Sequence, residues 1–168
     1  MQSPDYAPFT RALASAGGQP AAAFDALCAL TRQHVGAKLF TVMTYDDKRG
    51  FVRRVYSNMP EAYPVSGTKP ANRMHWFEEV LENRRIFVAN DIHAIAKVFD
   101  DHALIRSLGC ESVINVPVEI NGEVAGTINC LHEAGFYTPD KVAAAEALKL
   151  PAAACFLLNE RSGCGGAH

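Results

Sequence analysis

Residues 107–132 read SLGCESVINVPVEINGEVAGTINCLH, and this stretch decides the fold of the chain. Its two apolar runs, 112–120 and 123–131, are joined by Asn121-Gly122, the strongest short-range signal for a β-hairpin. A two-residue turn pairs Ile120 with Glu123, and strand alternation then assigns every other side chain to a face. One face is predicted to carry Val113, Asn115, Ile128, Cys130 and His132, with Val113 opposite Cys130 and Asn115 opposite Ile128.

The residues on either side of this hairpin predict further helices and strands. Helical spacing of apolar residues predicts a helix over 20–36, and Thr138-Pro139 begins a long C-terminal helix that is expected to bend at Pro151. Residues 38–46 and 51–58 predict a first hairpin, and residues 86–91 a short strand. The proline-rich segment 59–72 predicts a loop, and short helices are expected over 73–85, 92–99 and 101–109.

This order of elements predicts an α+β fold. One face of a central antiparallel sheet can pack against the terminal helices. The other face can be roofed by the loop and short helices of residues 59–109, which would enclose a ligand pocket. The 168 residues fit a single domain over 1–168, with a core over about 20–160 and a flexible tail over 162–168.

Composition and charge narrow the possible functions. The formal net charge is −2, which gives no general attraction to nucleic acid or to anionic membranes. The first residues do not resemble a signal peptide, and the apolar runs are shorter than a membrane span. Five cysteines at irregular spacing, without a Cys-x-x-Cys pair, predict reduced thiols in the cytoplasm and no metal site. We therefore expect a cytoplasmic protein with no nucleic acid or membrane partner.

The hairpin and its flanks resemble the GAF domain family. The resemblance rests on Gly109, Ser112-Val113, Val116-Pro117-Val118, the Asn121-Gly122 turn and Gly126-Thr127-Ile128-Asn129, followed by the helix that begins at Thr138-Pro139. It extends over residues 20–160 and implies a GAF/PAS-like sheet with terminal helices on one face and a small-molecule pocket on the other. The resemblance also implies that the terminal helices can pair two subunits in a homodimer.

The candidate ligand-binding residues come from the second strand, the loop and the later elements. Alternation places Arg54, Tyr56 and Asn58 on one face of the second strand, where an arginine can bind an anionic or polar ligand. The alternative is that Arg54 is solvated at a sheet edge. The other candidates are Tyr63 in the loop, Trp76 and Asn90, each with a purely structural alternative, and Asn115, a buried amide that needs hydrogen-bond partners.

The cysteines allow a second class of function. If Cys110, Cys130 and His132 converge, they could form a thiol-based catalytic site, with His132 or Arg106 lowering the pKa of a thiol. The alternative is that both cysteines are small apolar side chains in the wall of a core or pocket.

On balance the sequence favours a non-enzymatic domain that binds a small polar or aromatic molecule and acts in sensing or regulation. The alternative is a small enzyme that uses a cysteine thiol for redox or nucleophilic chemistry. Neither interpretation requires a cofactor, and none is predicted.

Overall fold

The computed structural model describes residues 3–65, 69–70 and 75–164. Within these residues, six strands form one antiparallel sheet in the order β3-β2-β1-β6-β5-β4. The strands are β1 (Leu39–Asp46), β2 (Phe51–Ser57), β3 (Lys69–Pro70), β4 (Phe87–Ala89), β5 (Ser112–Ile120) and β6 (Glu123–His132). The predicted hairpins β1–β2 and β5–β6 are both present, and β1 joins them by pairing with β6 at the centre of the sheet.

The helices lie in two layers, one on each face of the sheet. They are α1 (Ala7–Ala14), α2 (Ala21–His34), α3 (His75–Phe77), α4 (Ile92–Ala96), α5 (His102–Ser107), α6 (Pro139–Ala145) and α7 (Lys149–Cys164). A π-helical turn over Glu78–Glu82 continues α3, and a 3₁₀ turn over Glu146–Leu148 joins α6 to α7. The terminal helices α1, α2, α6 and α7 cover one face, called here the helix side. Segment 59–65, α3 with its π turn, α4 and α5 cover the other and are called the roof. The predicted α+β architecture is confirmed.

The helix side contains the largest apolar core. Phe24, Leu27, Cys28 and Thr31 of α2 recur at helical spacing and are all buried, as that spacing predicts. They belong with alternate residues of the central strands and with the buried face of α7. The sheet supplies Phe40, Val42, Ile114, Val116, Val118, Ile128 and Cys130 to this core.

The C-terminal helix is irregular one turn upstream of Pro151, at its 3₁₀ turn, whereas α7 runs through Pro151 itself. Proline has no N–H to donate to the carbonyl four residues earlier, which is that of Ala147. The helix tightens into its 3₁₀ turn at that point, and the hydroxyl of Tyr6 donates to the Ala147 oxygen at 2.9 Å. A side chain at the start of α1 thus satisfies the carbonyl that Pro151 leaves free.

The predicted register of the second hairpin is correct at its turn and wrong beyond it. Ile120 does pair with Glu123, but Ala125 forms a β-bulge, so that Val118 pairs with Gly126 and Asn115 pairs with Asn129. One extra residue in β6 reverses the face of every residue that follows relative to β5. Val113 and Asn115 consequently lie on the roof side, whereas Ile128 and Cys130 lie on the helix side.

A second bulge changes the first hairpin in the same way. Val42 pairs with Tyr56 and Met43 pairs with Arg54, which leaves Val55 as the extra residue of β2. The prediction that Arg54 and Tyr56 share a face is therefore wrong: Arg54 lies on the roof side, and Tyr56 packs on the helix side.

Three other boundaries differ from prediction. The loop predicted over 59–72 contains β3, which pairs with β2. The helix predicted over 73–85 ends at Glu82, and Arg84 has a positive φ of 57°. Helix α7 continues to Cys164, so residues 162–164 of the predicted tail are helical, while residues 165–168 lie outside the described residues.

Among the described residues, one continuous helical stretch is long and apolar enough to cross a membrane. It spans Pro139–Gly163, and an 18-residue window within it has a mean hydropathy of 1.4. This window is more apolar than the interrupted apolar runs of the sequence predicted. Of the window, 39% is buried inside the structure, and Ala144, Leu148 and Phe156 belong to the helix-side core.

Candidate functional site

Four polar side chains form a row across the roof side of the sheet. Ser57 of β2 pairs with Thr41 of β1, Thr41 with Asn129 of β6, and Asn129 with Asn115 of β5. All four side chains are buried, and together they are called the polar row. The row lies between two apolar clusters of the same face, one around Leu39 and Leu131 and the other around Phe77 and Val124.

Three members of the polar row and the single tryptophan form one chain of hydrogen bonds. The indole nitrogen of Trp76 donates to Asn115 Oδ1 at 2.9 Å, and Asn115 Nδ2 donates to Asn129 Oδ1 at 2.7 Å. Asn129 Nδ2 then donates to Thr41 Oγ1 at 3.2 Å. Asn115 therefore finds the partners that a buried amide requires, and Trp76 of the roof covers the row rather than serving only the apolar core.

Thr127 lies beside the polar row and has no hydrogen-bond partner in the described part of the chain. It is two residues before Asn129 on β6 and therefore on the same face, where its residue is 2% exposed. Its hydroxyl oxygen is buried without a partner among the described residues. A buried hydroxyl in this state costs about 1–3 kcal/mol, so the position needs an explanation other than packing.

Arg54 and Tyr63 form a contact between the sheet and the roof. The guanidinium of Arg54 lies 4.6 Å from the ring centre of Tyr63, and its Nη1 donates to the carbonyl of Pro64 at 3.0 Å. The hydroxyl of Tyr63 donates to Asp101, immediately before α5. Burial raises the pKa of Tyr63, and the hydrogen bond to Asp101 raises it further. Burial lowers the pKa of Arg54, while the charge of Asp101 opposes that shift.

The other three predicted ligand-binding residues have structural partners elsewhere. Tyr56 stacks on Phe24 at 5.6 Å and donates to Asp25 of α2 at 2.8 Å. Asn58 bonds the backbone at the start of β1, accepting from Phe40 and donating to Lys38. Asn90 bonds both backbone groups of Tyr137, at 2.9 and 3.1 Å. The structure therefore brings Arg54, Tyr63, Trp76 and Asn115 to the roof side and leaves these three apart.

The cysteines and His132 do not converge. Cys110 belongs to a roof-side cluster and Cys130 to the helix-side core, so the sheet separates them. Burial raises the pKa of both thiols, whereas a nucleophilic cysteine needs a lowered one. His132 shares the face of Cys130, as predicted, but its ring stacks on Phe136 with 3.4 Å between ring centres. Arg106 forms an ion pair with Glu111 at 3.6 Å.

The described residues hold no metal-ligating cluster, and they line an open groove away from the polar row. Across the part of the chain that the structure describes, no cluster of three or more His, Cys, Asp or Glu side chains can hold a metal ion. An open groove of about 810 Å³ lies between the two hairpin turns and the end of α7. Its lining includes Lys48, Arg49, Phe51, Asn121, Phe156 and Glu160, and it shares no residue with the polar row.

The sheet order and the two helix layers are shared with known proteins. The family model described as GAF domain matches residues 19–155. The chain belongs to the GAF domain family. None of the functionally curated proteins compared with it matches.

Solved GAF domains share this architecture at low sequence identity. The GAF domain/HD domain protein from Geobacter sulfurreducens is 14% identical, with a TM-score of 0.65 over 81% of this chain and 91% of that chain. The PixJ GAF domain from Thermosynechococcus elongatus, in its blue-light absorbing form, is 21% identical, with a TM-score of 0.58 over 86% and 92%. The chromophore-binding domain of a bacteriophytochrome from R. palustris is 12% identical, with a TM-score of 0.60 over 92% and 60%. At these identities the likeness shows the fold alone.

In this GAF domain, sequence analysis missed Ser57, Thr41, Asn129 and Thr127. Thr127 and Asn129 are polar residues inside an apolar strand, and that pattern could have marked them as candidate site residues. The bulge-free register had put them on the opposite face from Asn115 and so hid the row.

Proposed function

We propose that this GAF domain is a sensory or regulatory module that binds a small polar or aromatic molecule between the polar row and the roof. The observation that carries the proposal is the buried hydroxyl of Thr127, which has no partner among the described residues and lies beside a buried polar row. A ligand that bonds this hydroxyl would offset its burial. The site is formed by one chain acting as a single domain, and it needs no cofactor.

Packing alone is a poor reason for a polar row at this position. Buried amides and hydroxyls give little net stability even when paired, and apolar side chains of similar size would fill the same space. The helix side of the same strands shows that alternative, since it carries Ile114, Val116, Ile128 and Cys130 at the matching positions. The contrast between the two faces of β5 and β6 favours a binding role for the roof side.

The known role of a solved relative is consistent with small-molecule binding by this domain. The R. palustris domain of the same fold is a chromophore-binding domain, and the GAF family typically binds small molecules or chromophores in sensors. We carry over only the general role, because fold likeness does not identify a ligand.

Equilibrium dialysis tests the proposal. The full chain is dialysed against a bacterial small-molecule extract, and compounds enriched on the protein side are identified by mass spectrometry. We expect enrichment by the wild type and by Thr31→Val, a matched change at a buried threonine of α2 on the helix side. Thr127→Val and Asn129→Leu should lose it. Enrichment of no compound, or equal enrichment by all four proteins, would show that the roof side is not a binding site.

We further propose that the module is a homodimer paired through its C-terminal helices. Leu150 is 74% exposed and Leu157 is 48% exposed, and their seven-residue spacing puts them on one helix face. Ala154 lies between them and Ala147 lies before Leu150, so each leucine has a small residue three positions before it. An apolar stripe of this kind can pack against the same stripe on the helix of a second subunit.

We also propose a cytoplasmic location without nucleic acid or membrane partners. The four cysteines whose side chains the structure describes are all free thiols, as in a reducing compartment. The net charge of −2 gives no support for binding to a polyanion.

A further inference from the structure

Trp76 fixes the direction of the hydrogen bonds along the polar row. An indole nitrogen can only donate, so the atom of Asn115 that faces Trp76 must be its oxygen. The amide nitrogen of Asn115 then faces Asn129, which must present its own oxygen and turn its nitrogen to Thr41. Every bond in the chain therefore runs the same way, from the roof toward β1.

This direction leaves the row rich in donors. Each amide nitrogen of Asn115 and Asn129 carries two hydrogens and uses one of them within the chain. Thr41 accepts through its oxygen, so its hydroxyl hydrogen is left to donate among the described residues, and the hydroxyl of Thr127 is unused. A ligand seated here meets mainly hydrogen-bond donors and must bring acceptors.

The polar row and Thr127 offer no charge to a ligand. Arg54, a cation on the roof side of β2, is already held by Tyr63 and the Pro64 carbonyl, and Tyr63 is bonded in turn to Asp101. An ionised ligand would be buried without an opposite charge of its own, which is strongly unfavourable. The site therefore selects a neutral molecule.

Aromatic side chains set the shape of the ligand. Phe99 lies edge-on to both Trp76 and Phe87, with ring centres 6.5 and 6.3 Å apart. Phe87 pairs with Asn115 at the end of the polar row. Neighbouring strands are roughly 5 Å apart, so donors on β5, β6 and β1 follow each other at that interval. Two carbonyl groups on one six-membered ring present acceptors at a similar separation.

We infer that the ligand of this site is a neutral, planar heterocycle with ring carbonyl acceptors, bound by Thr127, Asn129 and Thr41 and covered by Trp76. This inference rests on the proposed function and deepens it. A cyclic dione fused to a second aromatic ring has the required acceptors, shape and absence of charge.

Three probes test the inference in the full chain. Quinazoline-2,4-dione has the two carbonyls, quinazoline has the same rings without them, and 1-naphthoate is a planar anion. Binding is measured by calorimetry and by the fluorescence of Trp76, which is the single tryptophan. We expect the dione to bind at least about tenfold more tightly than either control, as one or two added hydrogen bonds predict. Thr127→Val and Asn129→Leu should weaken the dione by about the same factor, and Thr31→Val should not.

The outcomes separate this inference from the proposed function. Tighter or equal binding of quinazoline or 1-naphthoate, or dione binding that Thr127→Val leaves unchanged, would overturn the assignment of the ligand class. If the dione fails while dialysis still finds a compound that depends on Thr127, the ligand class is wrong and the binding function stands. If neither experiment finds such a compound, both are wrong.

Discussion

Among the buried threonines that the structure describes, Thr127 differs in the bonding of its hydroxyl. Thr31 donates to the carbonyl of Leu27 at 2.8 Å, and Thr41 accepts from Asn129, whereas the hydroxyl of Thr127 bonds to none of the described residues. Removing a satisfied hydroxyl and removing an unsatisfied one should therefore change stability in opposite directions.

Thr127→Val is expected to raise the free energy of unfolding by about 1 kcal/mol, because valine has the same shape and removes a buried hydroxyl that makes no bond. Urea denaturation of the ligand-free protein measures the change. Thr31→Val is the control, and it should lower stability by up to about 1 kcal/mol because its hydroxyl is bonded. A loss of stability in Thr127→Val as large as in Thr31→Val would mean that the hydroxyl has a structural partner.

Gly126 determines how β6 fits between β1 and the C-terminal helix. A Cβ atom added there would lie 2.0 Å from the carbonyl oxygen of Met43 and 2.8 Å from the ring of Phe156. The residue follows Ala125, the extra residue of the β6 bulge, and pairs with Val118. The close approach of α7 to the bulged strand therefore requires glycine.

Gly126→Ala is expected to lower the free energy of unfolding by about 3 kcal/mol, since neither a strand backbone nor a buried ring can move away without loss of packing. Thermal and urea denaturation measure the effect. Gly163→Ala in α7 is the matched control, because an added Cβ meets no atom within 4 Å there. It should leave stability unchanged or raise it by up to about 1 kcal/mol. Equal stability of the two variants would contradict the tight fit of α7 on β6.

Assembly of the whole molecule is predicted from the outer face of α7. The wild type should be a dimer in solution, measured by light scattering coupled to size-exclusion chromatography over a range of concentrations. Replacing Leu150 and Leu157 together by glutamine should give a monomer, because it removes the apolar stripe. Leu104→Gln on α5, which is 39% exposed, is the control and should remain a dimer. A monomeric wild type, or a dimeric double variant, would exclude pairing through this face.

The sequence by itself determined the elements and the family of this protein. The Asn121-Gly122 turn, the helical spacing in α2 and the effect of Pro151 all depend on neighbouring residues, so they can be read from the chain. The same local reasoning named Asn115, Trp76, Arg54 and Tyr63 as separate candidates, but it did not predict that they lie on one side of the sheet.

Only the tertiary structure decided which side chains share a face. A β-bulge adds one residue to a strand without altering its apolar pattern, yet it reverses the orientation of every later residue relative to the partner strand. The bulge at Ala125 brought Asn129 and Thr127 to Asn115, and the bulge at Val55 separated Tyr56 from Arg54. The polar row spans four strands that are distant in sequence, and it forms only once the sheet order and both registers are set.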